Sequence, residues 1–93
     1  MAGTGTTTVD FGATPVGEAT FTISDAGVSA ASYVEAWFQY NDTTAGNVAE
    51  MHKTLGFFCK PNCSAGSSQF LAYCGLTGGL ATGQYKLRYA FTP

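Results

Sequence analysis

The chain has 93 residues, of which 45% are hydrophobic and 11% are charged, and its formal net charge is −2. This length allows one domain, and its four basic residues form no cluster of the kind that nucleic-acid binding requires. No apolar stretch is long enough to span a bilayer, and the first residues lack the basic and apolar regions of a signal peptide. We therefore expect a single domain made in the cytosol, with neither a nucleic acid nor a membrane as partner. A surface this poor in charge favours oligomerisation.

The first eight residues are rich in Gly and Thr. Such residues cannot fill a core, so a flexible arm is predicted over residues 1–8, able to order against a neighbouring molecule. A single β domain is predicted over residues 9–93, with Val9 and Phe11 as the inward side chains of a first short strand at 6–11.

Alternating apolar and polar residues predict the further strands, and Gly, Ser, Thr, Asn and Pro clusters separate them. The strands are expected at 18–24, at 32–40, in a hairpin pair at 52–59 and 67–75, and at 84–92. Residues 41–49 read as a polar loop, in which Asn47 caps at most one helical turn. The pattern predicts an all-β fold: a small antiparallel β-sandwich or barrel of six to seven strands.

The segment 32–40 is apolar on both faces of its predicted strand. Val34 and Phe38 lie on one face, which is typical of a core, whereas Tyr33 and Trp37 lie on the other. Two large aromatic side chains on the second face need cover, either from a loop of the same chain or from a neighbouring subunit.

The histidine and cysteine residues leave three alternatives open. The ligand types of a Cys3His zinc site are present in His52, Cys59, Cys63 and Cys74, but their spacing lacks the C-x2-C motif of a zinc knuckle. A Cys59–Cys63 disulfide is the second alternative. In the third, Cys59 and Cys74 are small buried hydrophobes and Cys63 is a loop thiol. We expect no metal and no cofactor.

Catalytic groups are sparse and scattered. His52 is the only histidine, and nothing in the spacing places it beside an activated thiol. The acidic residues are dispersed, and Glu35 is expected to pair with Lys86 or Arg88 across strands. The Gly-rich stretch at 78–83 lacks the Lys-Ser/Thr of a phosphate loop. No catalytic residue is predicted, and the chain is not expected to be an enzyme.

Several short segments resemble a group of small proteins encoded in tailed-phage and prophage genomes, and the match runs over most of the chain. The segments are Thr8-Val9-Asp10-Phe11-Gly12-Ala13, Val34-Glu35-Ala36-Trp37, Asp42-Thr43-Thr44-Ala45, Glu50-Met51-His52 and the aromatic closing strand. The resemblance implies a virion structural module without enzymatic activity, and does not say which part of the particle. Members of the group tend to be more acidic and His-rich at 44–49, so no metal or charge role is carried over to that loop.

Together these features lead us to expect a capsid decoration (cement) protein that binds and stabilises the phage head surface. Its expected partners are the major capsid protein and copies of itself, as a trimer or dimer, and its expected location is the capsid surface of the virion, after synthesis in the bacterial host cytoplasm. The expected contact residues are Thr4, Thr6, Thr7, Tyr33 and Trp37. The alternatives are a tail- or head-fibre module that binds a host surface, a head–tail or tail-tube component and, from another class, a zinc- or thiol-dependent small enzyme.

Overall fold

The computed structural model describes residues 3–40, 42–44, 46–77 and 79–92. The elements in chain order are β1 (Gly3–Asp10), β2 (Glu18–Ser24), β3 (Val34–Trp37), α1 (Ala49–Phe58), β4 (Asn62–Gly66), β5 (Gln69–Gly75) and β6 (Gln84–Phe91). In one sheet β6 lies between β1 and β3, and in the other β5 lies between β2 and β4. All neighbours are antiparallel. The described residues therefore form a small all-β sandwich, which confirms the predicted fold class.

The core lies between the two sheets and is built from the inward positions of their central strands. Alternate residues of β5 and β6 are buried, whereas the residues between them are exposed or half-buried. The inward set is Phe70, Ala72, Cys74, Tyr85, Leu87, Tyr89 and Phe91. Each central strand thus supplies a full buried face, and residues of the flanking elements, such as Val9, Ile23 and Leu55, complete the core.

The predicted flexible arm is wrong for residues 3–8, which lie in β1 and pair with β6 along their whole length. Gly3 and Gly5 lie opposite Phe91 and Tyr89, and a Cβ atom added to Gly5 would stand 2.3 Å from the Tyr89 ring. The aromatic rings of β6 thus occupy the space that glycine leaves open, which allows a Gly/Thr-rich segment to be a strand. Met1 and Ala2 lie outside the described residues.

Residues 49–58 form helix α1. The predictions of a loop at 41–49 and of a strand at 52–59 are wrong over these residues. His52, Leu55 and Cys59 face the core at helical spacing. The helix has no strong start signal, since Val48 occupies the N-cap without a side-chain hydrogen bond, and apolar residues also lie on its exposed side. These two features hide the helical period in the sequence. Among the described residues, no helix has the length and apolarity that crossing a membrane requires.

Strand β3 has four residues and is shorter than the predicted strand at 32–40. It ends with Trp37 opposite Arg88, so the first part of β6 has no strand neighbour on that side. The predicted hairpin is also corrected, because the partner of β5 is β4 and not residues 52–59. The turn between β4 and β5 is Ser67-Ser68, with Ser68 at a φ of 57°.

Candidate binding face

The outer face of the β1–β6–β3 sheet carries most of the residues that the sequence singled out for partner contact. We call this surface the sheet face and define it by Thr4, Thr6, Thr8, Lys86, Arg88, Ala90, Glu35 and Trp37. The strand register places Thr6, Arg88 and Trp37 in one row across the three strands. Because directly opposite residues in neighbouring strands share a face, these three side chains point the same way.

Arg88 is the fixed charge at the centre of the sheet face. Its Nε and Nη2 atoms donate to the Asp42 carboxylate at 2.7 and 2.6 Å, in a bidentate pair. The Asp42 side chain is only 6% exposed, and the hydrogen bonds from Arg88 lower the pKa of that carboxyl. The same pair raises the pKa of Arg88. The guanidinium is therefore held in one orientation, and the loop that follows β3 is anchored to the sheet.

Trp37 is half-buried beside this charge. Its Nε1–H donates to Gln39 Oε1 at 3.3 Å. With Thr4, Thr6 and Arg88 it lines an open depression of about 250 Å³. The depression offers an aromatic surface, two hydroxyl groups and a guanidinium. This mixture is typical of protein-binding surfaces, in which Trp, Tyr and Arg are enriched.

Tyr33 lies at the end of the sheet face and is 80% exposed. Its backbone is pinned to Thr92: the Tyr33 N–H donates to Thr92 Oγ1 at 2.8 Å, and the Thr92 N–H donates to the Tyr33 carbonyl at 3.0 Å. A shallow, mainly apolar depression of about 350 Å³ lies between Tyr33, Glu35 and Phe91. An exposed ring is thus presented on an ordered backbone.

The structure brings together Thr4, Thr6 and Trp37 on the sheet face, with Tyr33 at its end. Thr7 lies on the opposite side of β1, on the same side as buried Val9, and does not share this surface.

The Arg88–Asp42 pair was not among the contacts that the sequence predicts. The expected partner of Arg88 or Lys86 was Glu35, but Glu35 instead lies 3.9 Å from Lys60, and both side chains are largely exposed. Asp42 and Arg88 are 46 residues apart, so no local pattern connects them.

His52 is a structural residue in this fold. It is fully buried, its Nδ1 lies 3.2 Å from the Val48 carbonyl, and its Nε2 accepts the Lys86 backbone N–H at 2.9 Å. These contacts place the ring hydrogen on Nδ1. Asn47 acts similarly and donates to the Gln84 carbonyl at 2.8 Å. Both side chains form hydrogen bonds with the part of the β6 backbone that has no neighbour in β3. Because both ring nitrogens of His52 are engaged in contacts, neither is free to ligate a metal or abstract a proton.

The cysteines are free thiols: Cys59 and Cys74 are buried, and Cys63 is half-buried. Within the described ranges no group of three or more His, Cys, Asp or Glu residues is arranged to hold a metal. Cys59 and Cys63 pair with Leu76 and Ala72, four residues apart, which corresponds to roughly 13 Å along a strand. The Cys59–Cys63 disulfide, the second of the three alternatives, does not fit this structure, because that separation exceeds the reach of the bond.

A second exposed apolar surface lies beside α1, and we call it the helix groove. It is a depression of about 150 Å³. The side chains that line it are mainly apolar: Met51, Thr54, Leu55, Phe58, Leu76, Leu80 and Tyr85. Phe57 projects nearby and is 77% exposed. The predicted strand at 52–59 gave no sign of this surface, although Met51, Leu55 and Phe58 have helical spacing.

Comparison with family models, with curated proteins and with solved structures finds no match to this chain.

Proposed function

We propose that this protein is a phage virion structural protein, and specifically a capsid decoration (cement) protein that binds the head surface through its sheet face. The observation that carries the proposal is the presentation of Tyr33, Trp37 and Arg88 on one ordered sheet. Residues of these three types dominate binding energy at protein interfaces. The partners we propose are the major capsid protein and further copies of this chain, as a dimer or trimer.

Tyr33, at the end of the sheet face, and four residues of that face have distinct parts in this contact. Tyr33 is the exposed anchor, and its ring becomes buried on the partner. Trp37 supplies a flatter apolar area, already half-buried, in the centre. Arg88 offers hydrogen-bond donors whose orientation is set by Asp42, so less side-chain entropy is lost when they bind. Thr4 and Thr6 add hydroxyl groups without adding charge.

The proposed mechanism is mechanical. Binding across the joints between capsid subunits buries surface that would be exposed if the subunits separated, and so opposes the outward pressure of packaged DNA. An interface of ordinary size buries about 1,600 Å² in total, with a gross gain of about 25 cal/mol per Å² before the costs of association. Repetition over the whole shell multiplies a modest gain at each site.

The test begins with the location and copy number of the protein on purified virions, measured by quantitative mass spectrometry and immuno-electron microscopy. A cement protein is expected on the head in hundreds of copies. A few copies on a tail or fibre would overturn the proposal in favour of a host-binding fibre module.

The second part of the test measures the stability of the head. Heads that lack the protein should break at lower temperature than complete heads, and added wild-type protein should restore them. A Tyr33→Ala/Trp37→Ala variant should not restore them, whereas the matched variant Phe57→Ala should. Equal breakage of heads with and without the protein would contradict the cement function.

A further inference from the structure

Strand β1 lies at the edge of its sheet and pairs with β6 on one side only, over Gly3–Asp10. The direction of its free backbone groups follows from β6. The Lys86 N–H donates to His52 Nε2 at 2.9 Å, away from β1, and Lys86 lies opposite Thr8 in the strand register. Opposite residues of an antiparallel pair exchange both of their hydrogen bonds or neither. The backbone N–H and carbonyl of Thr8 therefore point away from β6.

Thr4 and Thr6 have the same orientation, because backbone groups alternate sides along a strand. The opposite set is identified independently, since the Phe11 N–H donates to the Gly83 carbonyl at 2.9 Å, on the β6 side. Thr4, Thr6 and Thr8 are exposed, and within the described ranges no other residue bonds to their outward backbone groups. A row of unpaired donors and acceptors thus runs along the outer side of β1.

Strand β1 has few of the features by which edge strands avoid other strands, which are shortness, bulges, Lys and Pro. It has eight residues in unbroken register with β6, and its one charged residue, Asp10, is the last. By contrast, β3 has four residues, and Lys60-Pro61 directly precedes β4. Strand β2 begins with Glu18, and just before it Val16 is already paired with Ala81. The edge of β1 is therefore the one most open to a further strand.

We propose that β1 pairs antiparallel with β1 of a second copy of this chain, so that the two β1–β6–β3 sheets become one continuous sheet. A second copy fits because β1 is self-complementary. A two-fold axis at Thr6 sets Thr6 against Thr6 and Thr4 against Thr8, and each pair exchanges two hydrogen bonds. Threonine pairs across antiparallel strands are favourable, and this register brings no like charges opposite each other.

The dimer also gives the sheet face a larger form. The two-fold axis is perpendicular to the joined sheet, so both sheet faces lie on the same side. The threonine side chains of the two β1 strands fill the middle, and Trp37 and Arg88 of each copy flank them. A contact along one strand is small beside an ordinary interface of about 1,600 Å², so we expect a dimer that dissociates on dilution.

The experiment compares the purified full chain with Thr6→Pro, in the absence of heads. Proline removes the outward N–H of Thr6 and no hydrogen bond to β6, which edge strands tolerate. Sedimentation equilibrium should give the mass of two chains at high concentration, and Thr6→Pro should weaken the dimer at least about tenfold. Thr22→Pro is the matched control. It removes an outward N–H from the edge of β2, where Asp25 bonds on the β5 side, and should dimerise like wild type.

Amide hydrogen exchange of the wild-type chain, resolved by NMR, locates the contact without any variant. The N–H groups of Thr4, Thr6 and Thr8 should exchange more slowly as the protein concentration rises, whereas those of Thr20 and Thr22 should not change. A chain that stays monomeric up to its solubility limit would overturn the proposal. So would concentration-dependent protection on β2 in place of β1, or equal self-association of folded Thr6→Pro and wild type.

The inference rests on the geometry of β1, although it gives a surface to the self-association named in the proposed function. The two can therefore fail separately. A Thr6→Pro monomer that still binds heads would leave both standing, with the dimer unnecessary for head binding. A wild-type dimer that does not bind heads would contradict the cement function and leave the β1 contact intact.

Discussion

The sheet face and the helix groove both expose apolar side chains, but their supports differ. The sheet face stands on three hydrogen-bonded strands, and its central Arg88 is held by a buried carboxylate. The helix groove depends on a ten-residue helix, which is tied to β6 by the buried ring of His52. Tyr33 and Phe57 are almost equally exposed, at 80% and 77%. What distinguishes the two regions is the guanidinium of Arg88, which Asp42 holds in one orientation on the sheet face, since a fixed hydrogen-bond donor loses less entropy on binding.

The largest expected effect on the free energy of unfolding comes from removing the His52 side chain, which ties α1 to β6 beneath the helix groove. His52→Ala leaves the Lys86 N–H without its partner at 2.9 Å and creates a cavity in the core. The expected loss in the free energy of unfolding is about 3 kcal/mol, measured by urea denaturation. Lys53→Ala, at the next and exposed position of α1, is the control and should change little. Equal midpoints for the two variants would show that His52 does not hold α1 to β6.

The second prediction concerns the edge strand of the sheet face. Gly5→Ala places a Cβ atom 2.3 Å from the Tyr89 ring and displaces the tyrosine hydroxyl, which donates to Asp25 at 2.7 Å. We expect a loss of about 2 kcal/mol in thermal or urea unfolding, because the ring must move within a packed core. Gly79→Ala is the matched control, since an added Cβ there meets no atom within 4 Å. Wild-type stability of Gly5→Ala would contradict the close packing of β1 on β6.

The third prediction tests the fixed charge of the sheet face through pH. The folded pKa of Asp42 is lowered by Arg88, so the pair stabilises the fold above the unfolded value of about 3.9, and this contribution is lost as pH falls through the folded pKa. Asp42→Asn should therefore cost about 1–2 kcal/mol at pH 7, and its difference from wild type should shrink toward pH 2.

Urea midpoints measured between pH 2 and pH 7 check this dependence. Glu35→Gln is the control and removes a carboxylate charge from the largely exposed Glu35–Lys60 pair, in which Oε1 and Nζ are 3.9 Å apart. It should change the urea midpoints only slightly at any pH. A difference between Asp42→Asn and wild type that stays constant with pH would show that the ion pair is not its source.

The smallest effect on stability, and the most direct comparison of the two regions, comes from their exposed rings. Tyr33→Ala and Phe57→Ala should each change the free energy of unfolding by no more than about 0.5 kcal/mol. Only Tyr33→Ala is expected to weaken co-sedimentation with heads that lack the protein. The opposite result, with Phe57→Ala defective and Tyr33→Ala normal, would move the proposed contact from the sheet face to the helix groove.

Local alternation predicted the strands whose own residues make the core. The predicted strand at 18–24 has the same bounds as β2, and the alternation of Tyr85, Leu87, Tyr89 and Phe91 identified β6. For β1 it identified only residues 6–10, within the predicted strand at 6–11, and for α1 it failed. The stability of β1 as a strand depends on the rings of Tyr89 and Phe91, which are distant in sequence. The helical spacing of α1 is obscured because apolar side chains lie on both its buried and its exposed sides.

The candidate site was predicted only in part, because some of its contacts join residues that are distant in sequence. Period-two spacing identified Tyr33 and Trp37 as side chains of one outer face, and the structure places Thr4 and Thr6 on that sheet face. The spacing gave no sign that Arg88 would be held by Asp42, nor that His52 would replace a strand neighbour of β6. These contacts join residues 46 and 34 positions apart, beyond any local pattern.

The sequence by itself determined the all-β class and the inward faces of β2, β5 and β6, because alternation is a property of consecutive residues and one face must leave water. Only the tertiary structure decided that residues 3–5 extend the first strand and that residues 49–58 form a helix. Each of these outcomes depends on a surface supplied by a distant segment, which no local pattern encodes.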